Sequence, residues 1–152
     1  MSAEARLDEL NLMLPPTPKP VATYETAVRH GDLLFVSGHG PLRADGTMHT
    51  GKLGADLDVA AGQAAARQTG LAILATLRHH LGSLDRVVRL VKVLGLVNST
   101  REFGEQPKVI NGFSDLMVEV FGDLGRHARA AVGVYKLPLN YAVEVDAVVE
   151  VR

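Results

Sequence analysis

Arg129 and Glu144 are the two side chains of this sequence whose types and spacing could do chemistry together. Arg129 belongs to a run, Ala128 to Tyr135, with the alternation of a β-strand, and its neighbours on the same side are Ala131, Gly133 and Tyr135. A guanidinium among small residues has open space around a fork of donors that matches the two oxygens of a planar carboxylate. A second strand, Ala142 to Val151, follows the segment Lys136-Leu137-Pro138-Leu139-Asn140-Tyr141, which reads as a long hairpin loop. A hairpin that pairs Tyr135 with Ala142 places Glu144, Asp146 and Glu150 on the side of Arg129. Spacing alone leaves two uses for the pair: an ion pair between subunits, or a grip on an incoming acid with a carboxylate beside it for general acid–base work.

Other chemistries find little support. The absence of cysteine removes disulfides, thiolate metal sites and cysteine nucleophiles. His79 and His80 are adjacent on a predicted helix and diverge by about 100°, while His30, His39, His49 and His127 fall in turns or loops without paired-ligand spacing, so no metal is expected. Val36-Ser37-Gly38-His39-Gly40 lacks the frame of a nucleophile elbow and reads as a strand ending in a glycine-rich loop, open to close approach by a ligand. Sixteen Lys and Arg against seventeen Asp and Glu give a formal net charge of -1, and aromatics are 5% of residues, which provides neither the field nor the stacking platform of a nucleic-acid binder. No apolar run is long enough to span a bilayer, and no basic segment followed by an apolar one opens the chain, so a cytoplasmic location is expected.

The elements that must position Arg129 and Glu144 follow from periodicity. The chain has 152 residues, close to one domain, with 47% hydrophobic residues. Residues 2–14 read as an amphipathic helix with Ser2 as N-cap and Leu7, Leu10 and Leu14 on one side, stopped by the proline-rich stretch Pro15 to Pro20. Residues 1–20 are thus a helix and connector ahead of a body spanning 21–152. That body reads strand, strand, helix, strand, helix, strand, strand. Thr23 to Arg29 and Leu33 to Gly38 flank a turn at His30-Gly31-Asp32; helices run from Asp58 to Leu81 and from about Pro107 to Phe121; Val87 to Asn98 is a strand between them. On the first long helix Ala60, Ala64, Leu71, Leu74 and Leu81 are predicted to face the core, with Thr69, Thr76 and His80 opposite. Val87 to Asn98 is apolar on both sides, whereas two helices cover only one, so a further copy of the chain is expected over the other.

These elements and motifs resemble the YjgF/RidA family of reactive-intermediate (enamine/imine) deaminases, often labelled endoribonuclease L-PSP. The resemblance rests on Val36-Ser37-Gly38 after the first hairpin, Asn111 in the second long helix, His127-Ala128-Arg129-Ala130-Ala131-Val132-Gly133-Val134, Leu137-Pro138 and Val143-Glu144-Val145-Asp146-Ala147. The N-terminal helix, the proline-rich connector and Val109-Ile110-Asn111-Gly112 resemble a longer-chain branch of that family. The resemblance implies an α/β (α+β) chorismate-mutase-like fold: a mostly antiparallel sheet with two long helices on one face, in a homotrimer whose sheets face inward. It also implies a ligand cleft between subunits in which 2-iminopropionate-like imines are hydrolysed to 2-oxo acids and ammonia without a cofactor. Arg129 matches the family's carboxylate-binding arginine and Glu144 the carboxylate that positions the attacking water. Tyr24, Ser37 and Gly38 match residues lining the cleft from the neighbouring chain, and Asn111 matches the helix asparagine. The family's usual cysteine is Ala131 here, whose backbone N–H can still donate, and His39-Gly40 replaces a glutamine and an aliphatic residue, which places His39 among the lining groups. A non-catalytic binder of small carboxylates, or a regulatory trimer, is the alternative; an endoribonuclease fits the charge and aromatic content least.

Overall fold

A computed structural model describes residues 1–152. In chain order it contains helix α1 (Ala3–Glu9), strands β1 (Ala27–His30) and β2 (Leu33–His39), helix α2 (Val59–Leu81), strand β3 (Val87–Asn98), helix α3 (Gln106–Phe121) and strands β4 (Ala128–Val134) and β5 (Val143–Val151). The helices begin and end where local chemistry dictates. Asp58 caps α2 by accepting from the Ala61 N–H at 2.8 Å, and Gly82 ends it at φ 80°, a left-handed conformation that glycine adopts without a Cβ penalty. Ser2 caps α1 as expected, but the helix stops at Glu9 rather than reaching residue 14, since Asn11 turns to φ 52°.

The five strands form one sheet in the order β1-β2-β5-β3-β4. All neighbours are antiparallel except β3 and β4, which run parallel and are joined through α3. The expected hairpin between β4 and β5 is therefore not formed. Residues 135–142 carry the chain across the end of β3, and β5 enters between β2 and β3. Burial accounts for this choice. Val143, Val145, Ala147, Val149 and Val151 form an unbroken inward row that a central position buries completely, whereas β4, with Arg129 and Gly133, remains part-exposed at the edge.

Both long helices lie on one face. Gly112 lets them meet closely: a Cβ there would stand 2.1 Å from the Gln63 carbonyl oxygen on α2. The inward stripe of α2 is rotated from the one expected. Ala60 and Ala64 are exposed, while Thr69 and Thr76 are buried. Threonine is tolerated inside because Thr69 donates back to the Ala65 carbonyl at 2.9 Å and Thr76 bonds His39. The opposite face of the sheet carries no element of this chain, and Val28, Phe35 and Val132 are exposed there at 56%, 47% and 43%. The strand pattern anticipated this uncovered apolar area.

Candidate functional site

Sheet register fixes where each candidate side chain points. Ala27, Val36, Ala147 and Val93 pair in one row across the sheet, all buried toward the helices, and Arg129 completes that row on the edge strand. An arginine at a core-facing position has to leave sideways, and α3 supplies its exit. Nη1 of Arg129 donates to Asn111 Oδ1 at 2.9 Å and to Ser114 Oγ at 3.1 Å, and Nη2 donates to the Pro107 carbonyl at 3.3 Å. A guanidinium has five N–H donors, so two remain without a partner. The three acceptors are neutral and no ion pair involves Arg129. Ala131 and Gly133 follow on the same side of β4, and Gly133 has Ser99 and Gln106 close against it, within 2.6 and 2.8 Å of where a Cβ would lie.

Glu144 lies on the other face. Its row runs through Leu96 to Val132, and within one chain two strand spacings, roughly 10 Å of sheet, separate β5 from β4. The predicted placement of Glu144, Asp146 and Glu150 beside Arg129 assumed hairpin parity; with β3 between the strands, the parity is reversed. The structure instead brings Glu144 to Gly38. The register shift between Val36 and His39 inserts one extra residue into β2, and a Cβ on Gly38 would fall 2.9 Å from both Cδ and Oε2 of Glu144. Ser37 in the same bulge donates from Oγ to the Glu25 carbonyl at 2.6 Å. Burial, and then the charge of Asp146, push the Glu144 carboxyl above the usual carboxylate range. Burial likewise raises Asp146, against the pull of Lys92.

Tyr141 belongs to this group and was missed in the sequence, where it reads as a loop residue. Its ring covers Gly40 at 3.0–3.1 Å from the position of a Cβ, and its phenol is raised by burial and then by the charges of Glu144 and Tyr24. An aromatic residue immediately before an alternating strand was the available signal. Tyr24, Ser37, Gly38, Tyr141 and Glu144 thus gather on one side, whereas Arg129, Asn111 and Ala131 gather on the other.

His39 joins neither group. It pairs with Val145 on the helix-facing side, where its Nδ1 lies 2.6 Å from the Ser37 carbonyl and its Nε2 2.7 Å from Thr76 Oγ1. Burial, and then the neighbouring His80, lower its proton affinity, the Ser37 carbonyl opposing. The ring supports the bulge from beneath and does not line a cleft. Odd parity alone predicts the reverse for residue 39, because the extra residue in the bulge flips it.

No three His, Asp or Glu side chains converge as a metal site would require, and no helix is long and apolar enough to cross a membrane. Chemically, the molecule offers a cation with two open donors at one sheet edge and, on the opposite face, a carboxyl whose proton affinity burial raises.

Comparison with known proteins agrees with this architecture. A family model described as "YjgF/chorismate_mutase-like, putative endoribonuclease" matches residues 4–151. Protein TCP17 of Trypanosoma cruzi is 49% identical over 149 residues, 97% of this chain and 93% of that protein. Among solved structures, Atu1372 of Agrobacterium tumefaciens, a protein described as of unknown function, is 45% identical with a TM-score of 0.91, over 99% of this chain and 92% of that one. An endoribonuclease-labelled protein of Shewanella oneidensis is 34% identical with a TM-score of 0.95, over 99% of this chain and 100% of that one.

Proposed function

Since the chain belongs to the YjgF/RidA family, we propose that Arg129 of one copy and Glu144 of another share a cleft in which small imino acids are hydrolysed to 2-oxo acids and ammonia. The observation that carries this reading is the state of Arg129: half-buried, fixed by three neutral acceptors, bonded to no carboxylate, with two donors to spare. Glu144 of the same chain lies on the wrong face to act with it, so the site needs a second subunit. The uncovered sheet face around Phe35 and Val132 gives that subunit a place to dock, in a homotrimer with sheets turned inward.

In this cleft the substrate carboxylate takes the two open donors of Arg129, which fixes the imine carbon beside Glu144. The imine reacts in its protonated form: a water attacks the carbon of C=NH2+ while Glu144, as the carboxylate, receives the water's proton. The C–O bond forms and the C=N electron pair moves to nitrogen. The proton then passes from Glu144 to the nitrogen, the C–N bond breaks, ammonia leaves, and the hydroxyl proton is released as the carbonyl forms. A carboxyl raised by burial is suited to both transfers, because its proton affinity lies nearer to neutrality than that of an exposed glutamate. Tyr24, Ser37 and Gly38 would line the cleft on the Glu144 side, and Asn111 with the Ala131 N–H on the Arg129 side.

The test is release of 2-oxo acid and ammonia from 2-aminoacrylate, generated in situ by a pyridoxal-phosphate dehydratase. Arg129→Ala removes two charged hydrogen bonds, each worth about 1.5–3 kcal/mol, and is expected to lower kcat/KM by about a hundredfold or more. Turnover equal to wild type discards the role. Because the Arg129 grip is complete without Glu144, a carboxylate binder without turnover is the second reading. It is favoured if 2-oxobutanoate protects the protein from heat while no imine is consumed.

A further inference from the structure

His127 stands immediately behind the Arg129 site and has no part in the reaction described above. Its Nδ1 lies 2.7 Å from the Gly125 carbonyl, which can only accept, so Nδ1 carries the proton of the neutral ring. Its Nε2 lies 2.9 Å from Ser114 Oγ and is therefore left to accept the Ser114 hydroxyl proton. That commitment turns a lone pair of Ser114 Oγ toward Nη1 of Arg129, 3.1 Å away. The chain Gly125, His127, Ser114, Arg129 is thus polarised in one direction only while the imidazole is neutral.

Resting on the proposed carboxylate grip at Arg129, we propose that His127 is a positioning residue which, through the Ser114 hydroxyl, couples the binding of a small carboxylate at Arg129 to uptake of a proton by its own imidazole. Protonating Nε2 reverses its bond to Ser114 and sets two cations on either side of one hydroxyl. Without an anion that arrangement is costly: burial, and then the charge of Arg129, hold the proton affinity of the ring below the ordinary histidine value, against the Gly125 carbonyl. A carboxylate on the two open donors of Arg129 cancels the repulsion. By reciprocity, whatever makes the ring easier to protonate makes the carboxylate bind more tightly as pH falls.

The surroundings leave Arg129 as the partner that matters. On the preceding turn Arg126 and Asp123 pair with each other at 3.3 Å, and Arg89 of β3 donates to the Arg126 carbonyl at 3.4 Å. Lys92 of β3 pairs with Ala128 across the ladder, Asp115 of α3 is exposed, and the α3 side chains against the ring are Ser114 and Phe113, the latter edge-on at 6.0 Å. Arg129 is the charged group linked to the ring through the Ser114 hydroxyl, and its charge lowers the proton affinity of the ring.

The experiment measures 2-oxobutanoate affinity by calorimetry from pH 5.5 to 8, a range in which the ligand stays ionised, for wild type, His127→Gln and Arg129→Ala. The His127 ring signal is followed by NMR and assigned by its loss in H127Q. Glutamine can still accept from Ser114 but does not titrate. Wild type is expected to bind several times more tightly at pH 5.5 than at pH 8, and the His127 titration moves upward when ligand is added. H127Q keeps the pH 8 affinity and loses the slope. A wild-type slope that persists in H127Q assigns it to Glu144 or Asp146 and overturns the inference. Binding that needs Arg129 but shows no slope overturns the inference alone. Ligand that binds equally to R129A, or fails to bind wild type, overturns the carboxylate site and this inference together.

Discussion

Arg129 and Glu144 stand on opposite faces of one sheet, and the fold prepares them by opposite means. Arg129 occupies an edge strand but is fixed by α3 through three acceptors, all neutral dipoles. Its charge is oriented without being spent on an anion. Glu144 occupies a central strand, and no donor of its own chain bonds it; its carboxylate rests over the bare backbone of Gly38. A half-buried carboxylate left without donors holds a proton more readily than an exposed one. The cation is thus complete before a ligand arrives, whereas the carboxyl is completed only by what comes from outside: water, substrate or another copy.

The largest effect expected from this contrast comes from pairing two defective chains. Glu144→Gln removes the proton acceptor and is expected to lower turnover by about 10²–10⁴-fold, with 2-oxobutanoate affinity at Arg129 kept. R129A fails by losing the grip instead. Co-refolding equal amounts of the two restores sites that combine an intact Arg129 from one chain with an intact Glu144 from the other, about a quarter of the total if chains mix at random across a symmetric interface. Recovery of activity in the mixture separates a shared site from a site within one chain; absence of recovery in properly mixed oligomers removes the shared cleft.

A smaller effect tests the difference in rigidity. Asn111 owes its place to the close crossing of α2 and α3 at Gly112. Gly112→Ala puts a methyl against the Gln63 carbonyl, a backbone atom that cannot swing away. Overpacking of this kind costs about 1–3 kcal/mol, read as a lower urea midpoint with an unchanged m-value. Its displacement of α3 is expected to weaken carboxylate binding at Arg129 while leaving the titration of Glu144, on the far face, as in wild type. A stable G112A with full affinity would show that the grip does not depend on the helix crossing.

These particulars show what the sequence could disclose. Strand and helix types were legible because period-2 and period-3.6 patterns are local, as in Val143 to Val151 and in the apolar stripe of α3. Strand order was not, because residues 135–142 have the turn chemistry of a hairpin loop and only the competition for the central position decides that β5 leaves β4. That single non-local fact moved Glu144 to the other face. Arg129 was legible as an arginine among small residues and Asn111 through the family resemblance, but Ser114 was not, because it reaches Arg129 only through the parallel crossover. The resemblance places His39 among the lining groups, but the bulge, which leaves no mark in residue types, turns its ring to the helix side. Thr69 and Thr76 are buried although polar, because each hydroxyl finds a partner inside, and polarity alone does not reveal that partner.

The smallest effect concerns the ring beneath the glycine floor. The proton affinity of His39 is lowered in the folded protein, chiefly by burial. The unfolded chain takes up a proton as pH falls below about 6.5 and the native state only at lower pH, so the unfolded form binds more protons in that window. Stability is therefore full above the unfolded value and is lost as pH falls from there toward the folded one. His49, His80 and His127, also lowered by burial, add to the same slope. His39→Gln keeps an amide within reach of Thr76 but removes the titration. It is expected to cost about 1 kcal/mol at pH 8, the usual net value of a hydrogen bond, and to flatten part of the fall in urea midpoint between pH 7 and pH 5. Since the ring holds Ser37 from the helix side, turnover at Glu144 should fall with it, whereas carboxylate affinity at Arg129 should not. Equal loss on both sides would mean that the two halves of the cleft are not supported independently.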